Sequence, residues 1–152
     1  MTIDQLRTIL ARGLVIPAHP LALDDNGRFE ERHQRALTRY YAAAGAGGLA
    51  VAVHTTQFAI RDPRHGLFEP VLALAREEMD RADRGRDVPL VRIGGVCGTT
   101  AQALGEAGML ADLGYHAGLL SLAALKSASE RYHCGHGSAA RRNSIVPFWR
   151  RW

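Results

Sequence analysis

A five-residue apolar run, Leu49–Val53, ends abruptly in His54, Thr55, Thr56 and Gln57. Amphipathic stretches flank it, Phe29 to Ala44 before and Gly66 to Met79 after. A short, unbroken apolar run of this kind marks a strand buried on both faces, and such strands belong to parallel sheets covered by helices. In those sheets ligands bind just past the C-terminal ends of the strands. The stretch Gly47–Phe58 therefore predicts a parallel α/β fold and marks a candidate site in one place.

The rest of the chain reads the same way. Met1 to Arg12 is expected to be a short leading helix capped by Thr2 or Asp4, with Ile3, Leu6, Ile9 and Leu10 on one face, stopped by Gly13. Leu14–Pro20 reads as a strand that Pro17 and Pro20 must end, and Asp24–Gly27 as a turn. Arg28 to Ala44 is a predicted helix that turns Phe29, His33, Ala36, Leu37, Tyr40 and Tyr41 to the sheet. After the Leu49–Val53 strand and an Arg61–Gly66 loop comes a helix with Leu67, Val71, Leu74 and Ala75 on its buried face. Val88–Gly95 is expected to be a strand, Thr99–Leu113 a helix capped by Thr99 or Thr100, and Ala117–Leu122 a fourth strand. The order is β-α-β-α-β-α-β, with spacing suited to βαβ crossovers. Two units repeat weakly, each an apolar strand followed by a threonine pair, Thr55-Thr56 and Thr99-Thr100.

Charge is divided unevenly. The net charge of +4 comes from 19 Lys and Arg against 15 Asp and Glu, yet every acid lies at or before Glu130. Residues 131–152 hold Arg131, Arg141, Arg142, Arg150 and Arg151 and no acid, so the basic excess belongs to the tail. Ser127–Trp152 has no helical or strand period and is expected to be a basic, disordered tail. It has no amphipathic repeat, so neither nucleic acid nor membrane is expected as a partner. The longest apolar runs are too short to span a bilayer, and Met1–Arg7 lacks the apolar segment of a signal peptide. Two cysteines, Cys97 and Cys134, make no disulfide framework, and a cytoplasmic setting is the expectation. Only one lysine is present, Lys126.

The segments Gly13–Ala18, Gly48–Gln57, Val91–Leu104 and Ala111–Leu120 together resemble, in order and spacing, the N-terminal half of the dihydrodipicolinate synthase / N-acetylneuraminate lyase family. There a strand ends in a Gly-Thr-Thr-Gly-Glu signature. The resemblance implies a (β/α)₈ TIM barrel, here a truncated half barrel of about four parallel strands with outer helices over residues 1–126, and an unrelated tail at 127–152. It implies a lyase or aldolase that acts on a 2-oxo acid such as pyruvate through a lysine Schiff base, with no further cofactor. Thr55 and Thr56 match the threonine pair that holds the substrate carboxylate and relays protons, and His54 lies beside them at the substrate. The departures are plain: His54 and Gln57 replace the glycines of the signature and Phe58 replaces its Glu. The catalytic tyrosine and lysine have no counterpart, since Lys126 follows strand four instead of strand six. The chain is therefore expected to be inactive alone, and the break near residue 127 reads as a frame shift or a degenerate gene end. A non-enzymatic remnant or interaction protein that keeps only the scaffold is the competing expectation.

Other features have plainer readings. His19 and His54 are both expected at strand ends facing one mouth, where a satisfied, partly buried histidine outweighs a catalytic one. Gly94-Gly95…Gly98 lacks the Walker lysine and the Rossmann spacing and reads as a tight turn before a helix. His133, Cys134 and His136 form no recognisable metal site, and no metal is expected. Cys97 reads as a small filler, not a nucleophile. A half barrel would leave the edge of strand four unpaired and the barrel-interior face exposed, so self-association or homo-oligomers are expected.

Overall fold

A computed structural model describes residues 1–122 and the backbone of 144–147. Its sheet has four strands in the order β1 (Gly48–Val51), β2 (Val91–Val96), β3 (Ala117–Leu120) and β4 (Ser144–Pro147). The first three are parallel and β4 is antiparallel to β3. The helices are α1 (Ile3–Ala11), α2 (Glu31–Ala43), α3 (Phe68–Asp83) and α4 (Thr100–Asp112). The fold is thus a mixed α/β arrangement with a parallel core of three strands.

Local chemistry fixes the element ends. Thr2 caps α1 in a reciprocal box with Gln5, and Thr99 caps α4 by accepting from the Gln102 N–H. β1 stops at Val51 because Ala52 turns to φ 60°, a conformation no strand continues through. The anticipated strand Leu14–Pro20 is reduced to a single parallel bridge, Ala18 to Ala50. Gly47 and Ala50 donate to the carbonyls of Val15 and Pro17, and His19 donates to that of Ala50. The two prolines have no N–H to give, so the segment lies along β1 without becoming a full ladder.

The sheet separates two apolar layers. Leu49 and Val51 point toward α3 and α4, where they pack with Val71, Leu72, Met79 and Leu110. Ala50, Val91, Ile93 and Ala117 point the other way, with Leu6 of α1 and the half-buried Ile3, Ile9 and Leu14 against them. The alternation expected for these strands is present. The expected exposure of this second face is not: Ala50, Val53, Val91, Ile93 and Ala117 are all buried. The leading helix lies against that layer. The expected open edge of the last parallel strand is also corrected, because β4 pairs with β3 along Ala117–Leu120. That strand falls inside the segment read as a structureless tail. Lys126 and residues His133–His136 lie outside the described residues.

α2 shows a second correction. His33, Ala36 and Tyr40, expected to face the sheet, are exposed, whereas Gln34 and Thr38 are buried. Its inward stripe is polar because a fully buried histidine needs partners there, as described below. The buried face of α3 is the expected one, with Val71, Leu74 and Ala75 all inside. Among the described residues no helix is long and apolar enough to cross a membrane.

Candidate functional site at the strand ends

The C-terminal ends of β1, β2 and β3 open on one side of the sheet. There Val53, His54, Phe58, Gly95, Leu119 and Ser121 line a cavity of ≈ 220 Å³. This is below the roughly 300–1,000 Å³ of drug-sized pockets, so it suits a ligand of a few heavy atoms. His54, Thr55 and Thr56 form a single 3₁₀ turn immediately after β1. The turn follows from Ala52: its positive φ swings the chain out of the sheet and places the three residues over the strand end.

The three side chains have different surroundings. His54 is exposed and lines the cavity. The Thr56 side chain is fully buried, and its hydroxyl donates to the His19 carbonyl at 2.5 Å. That hydroxyl ties two loops together, so its proton is not available to a ligand carboxylate. The Thr55 hydroxyl oxygen is buried with no hydrogen-bond partner among the described residues. The structure brings the three residues into one turn and leaves only His54 on the cavity wall.

His19 does not reach the cavity. It is fully buried, with Nδ1 2.5 Å from the Gln34 amide nitrogen and Nε2 3.0 Å from the Thr38 hydroxyl. The Gln34 amide is oriented by two other bonds: its oxygen accepts from the Ala22 N–H and its nitrogen donates to the Pro20 carbonyl. Nδ1 must then accept, Nε2–H donates to Thr38, and Thr38 donates on to the Gln34 carbonyl. The ring is neutral in this network, and burial holds its pKa down at about 4. His19 is the satisfied core histidine that its position suggested.

A second group of polar residues lies behind the same strand ends, and periodicity did not pick it out. The Arg61 side chain is only 8% exposed, as is that of Glu106. Arg61 Nε donates to Glu106 at 2.9 Å, and Nη2 donates to the carbonyls of Ala52, just past β1, and Gly95, near the end of the adjacent β2. Its guanidinium lies 4.4 Å from the centre of the Phe68 ring and 5.5 Å from that of Phe58. Glu106 also accepts from the Cys97 N–H and the Gln102 amide. Nη1 of Arg61 is buried without a hydrogen-bond partner among the described residues. One sequence signal could have exposed this pair: Glu106 stands at a helical spacing between Ala103 and Leu110, on the stripe where α4 meets the sheet. The Cys97 thiol beside it is half-buried, and burial pushes its pKa up, the opposite of an activated nucleophile. Gly98, at φ 87°, makes the tight turn expected between β2 and α4.

Among the described residues no group of three or more His, Cys, Asp or Glu could hold a metal ion. The arrangement offers instead a small, partly apolar recess with an imidazole on its wall, while the Arg61–Glu106 pair, outside its lining, ties the strand ends together. No protein-family model matches the chain, and no curated protein does.

Proposed function

We propose that residues 1–122 form the N-terminal part of a (β/α)₈ barrel of the dihydrodipicolinate synthase / N-acetylneuraminate lyase type. In this reading the strand-end cavity takes the carboxylate end of a small 2-oxo acid such as pyruvate. The observation that carries it is the backbone at Gln57, which stands at φ 71° and ψ 121°. That conformation favours glycine, and Gln57 occupies the position where the resemblance puts the second glycine of the signature. A side chain held at a glycine's angles in the right place supports a loop shape kept after its sequence has drifted. The parallel strands, the turn over the end of β1 and the size of the cavity support it further.

Within this reading the residues of the turn do different work. Thr56 shapes the loop, and His54, the residue of the turn on the cavity wall, donates from its imidazole to the ligand carboxylate. Schiff-base formation is not assigned to any described residue, since none of them is a lysine. The test is pyruvate titration of the full chain followed by borohydride trapping. The expected result is weak saturable binding that His54→Ala reduces about tenfold, with no trapped adduct. A trapped adduct on Lys126 would show instead that the chain forms the imine itself.

The second reading is a scaffold or interaction protein without a small-molecule ligand. The commitment of the Thr56 hydroxyl to the His19 carbonyl favours it. Absence of pyruvate binding, with the fold intact by circular dichroism, would establish this reading over the first.

A further inference from the structure

On the far side of the helical layer, α2 and α3 enclose a groove of ≈ 460 Å³. Arg39, Arg81 and Arg86 line it together with one acid, Glu78, so guanidinium exceeds carboxylate by two charges. Glu78 is 1% exposed and accepts from Arg35 at 3.0 Å, Arg39 at 3.2 Å and Arg81 at 2.8 Å. Three cations converge on one carboxylate. Arg35 has its own counter-charges in Glu31 and Glu77. Arg86 donates to the carbonyls of Ala42, Ala46 and Val88, which fixes it across the C-terminal end of α2.

Arg39 and Arg81 differ from those two. Each gives Glu78 a bond from Nη1 alone, and their side chains are 54% and 57% exposed. The shared carboxylate holds the two guanidinium groups side by side from opposite helices, with Nε and Nη2 of each uncommitted among the described residues. Two forked donors fixed at one spacing, in a field of net positive charge, match the oxygens of a phosphate group. Ala42, Ala43 and Ala82 keep the groove floor small and apolar, which leaves room for the body of a small molecule beside its anionic end.

We propose that this groove is a binding site for a small phosphate-bearing molecule, held by Arg39 and Arg81 with Glu78 as the buried post that positions them. The inference is independent of the strand-end cavity and of any reaction there. Inorganic phosphate titrated into the full chain at constant ionic strength, followed by ¹H–¹⁵N spectra, tests it. Saturable shifts should be confined to residues 39–43 and 78–86. Arg39→Gln and Arg81→Gln should each weaken binding about tenfold, the loss of one charge-assisted hydrogen bond. Arg64→Gln, at an exposed arginine paired with Asp62 and away from the groove, should leave it unchanged. Shifts that chloride reproduces at the same ionic strength would overturn the proposal. So would phosphate affinity indifferent to both groove substitutions. A short single-stranded oligonucleotide that binds far more tightly than phosphate, with a steep salt dependence, would reassign the groove to nucleic acid.

Discussion

Replacing Glu106 by Leu should be among the most damaging single changes in the described fold. The carboxylate serves three donors, the Arg61 guanidinium, the Cys97 N–H and the Gln102 amide, and it is almost wholly buried. Its loss leaves a guanidinium without a counter-charge in a dry site. Breaking a buried ion pair from one side costs about 3–5 kcal/mol. Arg61 keeps the carbonyls of Ala52 and Gly95 as acceptors, which places the cost near the lower end, about 3 kcal/mol. For a chain of this length that corresponds to a melting point lower by about 6–12 °C. The double substitution Arg61→Met with Glu106→Leu removes both charges and should recover most of the loss. Urea denaturation followed by circular dichroism measures both, with the slope m unchanged so that the midpoint reports stability. A single-substitution cost below about 1 kcal/mol, or a double variant no better than Glu106→Leu, would refute the assignment of a pinned, desolvated pair.

Three further outcomes are expected. His19 titrates at about 4 when folded against an ordinary 6.5, so its contribution to stability is complete above pH 6.5 and is lost as pH falls toward 4. The loss amounts to about 3 kcal/mol and should flatten in His19→Gln; equal acid sensitivity in both proteins by pH-dependent unfolding would count against it. His116, lowered to about 4 by burial, adds in the same direction. Thr56→Val should destabilise by about 1–2 kcal/mol through the lost bond to the His19 carbonyl, while Thr55→Val should be neutral or stabilising; reversed ranking in thermal melts would mean the two hydroxyls are misassigned. Gln57→Gly should raise stability by about 0.5–1 kcal/mol by relieving the positive φ of an exposed residue, and a fall in melting temperature would contradict it.

Much of this fold was legible in hydrophobic period alone. The buried faces of α1 and α3, the caps at Thr2 and Thr99, and the three parallel strands follow from residues that choose their surroundings by side-chain chemistry. The inward face of α2 was not legible in this way. Gln34 and Thr38 are inside because His19, distant in sequence, presents two ring nitrogens that must be paired. A helix-by-helix reading contains no such term. The Arg61–Glu106 pair escaped for a related reason: a loop arginine announces nothing until the strand-end carbonyls it bridges are in place. At the candidate site the position of the His54–Thr56 turn was foreseeable from the end of the apolar run. The inequality of its two threonines was not, because it depends on where the His19 carbonyl falls. β4 has no periodic signature over Ser144–Pro147, and a short edge strand takes its shape from the ladder that receives it.

The antiparallel seat of β4 has a kinetic consequence. β3 is one edge of the parallel run β1-β2-β3, and β4 already occupies its outward hydrogen-bonding groups. A parallel strand offered to β3 must wait for that ladder to open. Its capture would then proceed at a ceiling set by the detachment of Ser144–Pro147, a first-order rate that additional partner cannot raise. At this edge β4 would act as a timer on any such pairing, and shortening the chain before Ser144 would convert a saturating rate into one that climbs with concentration.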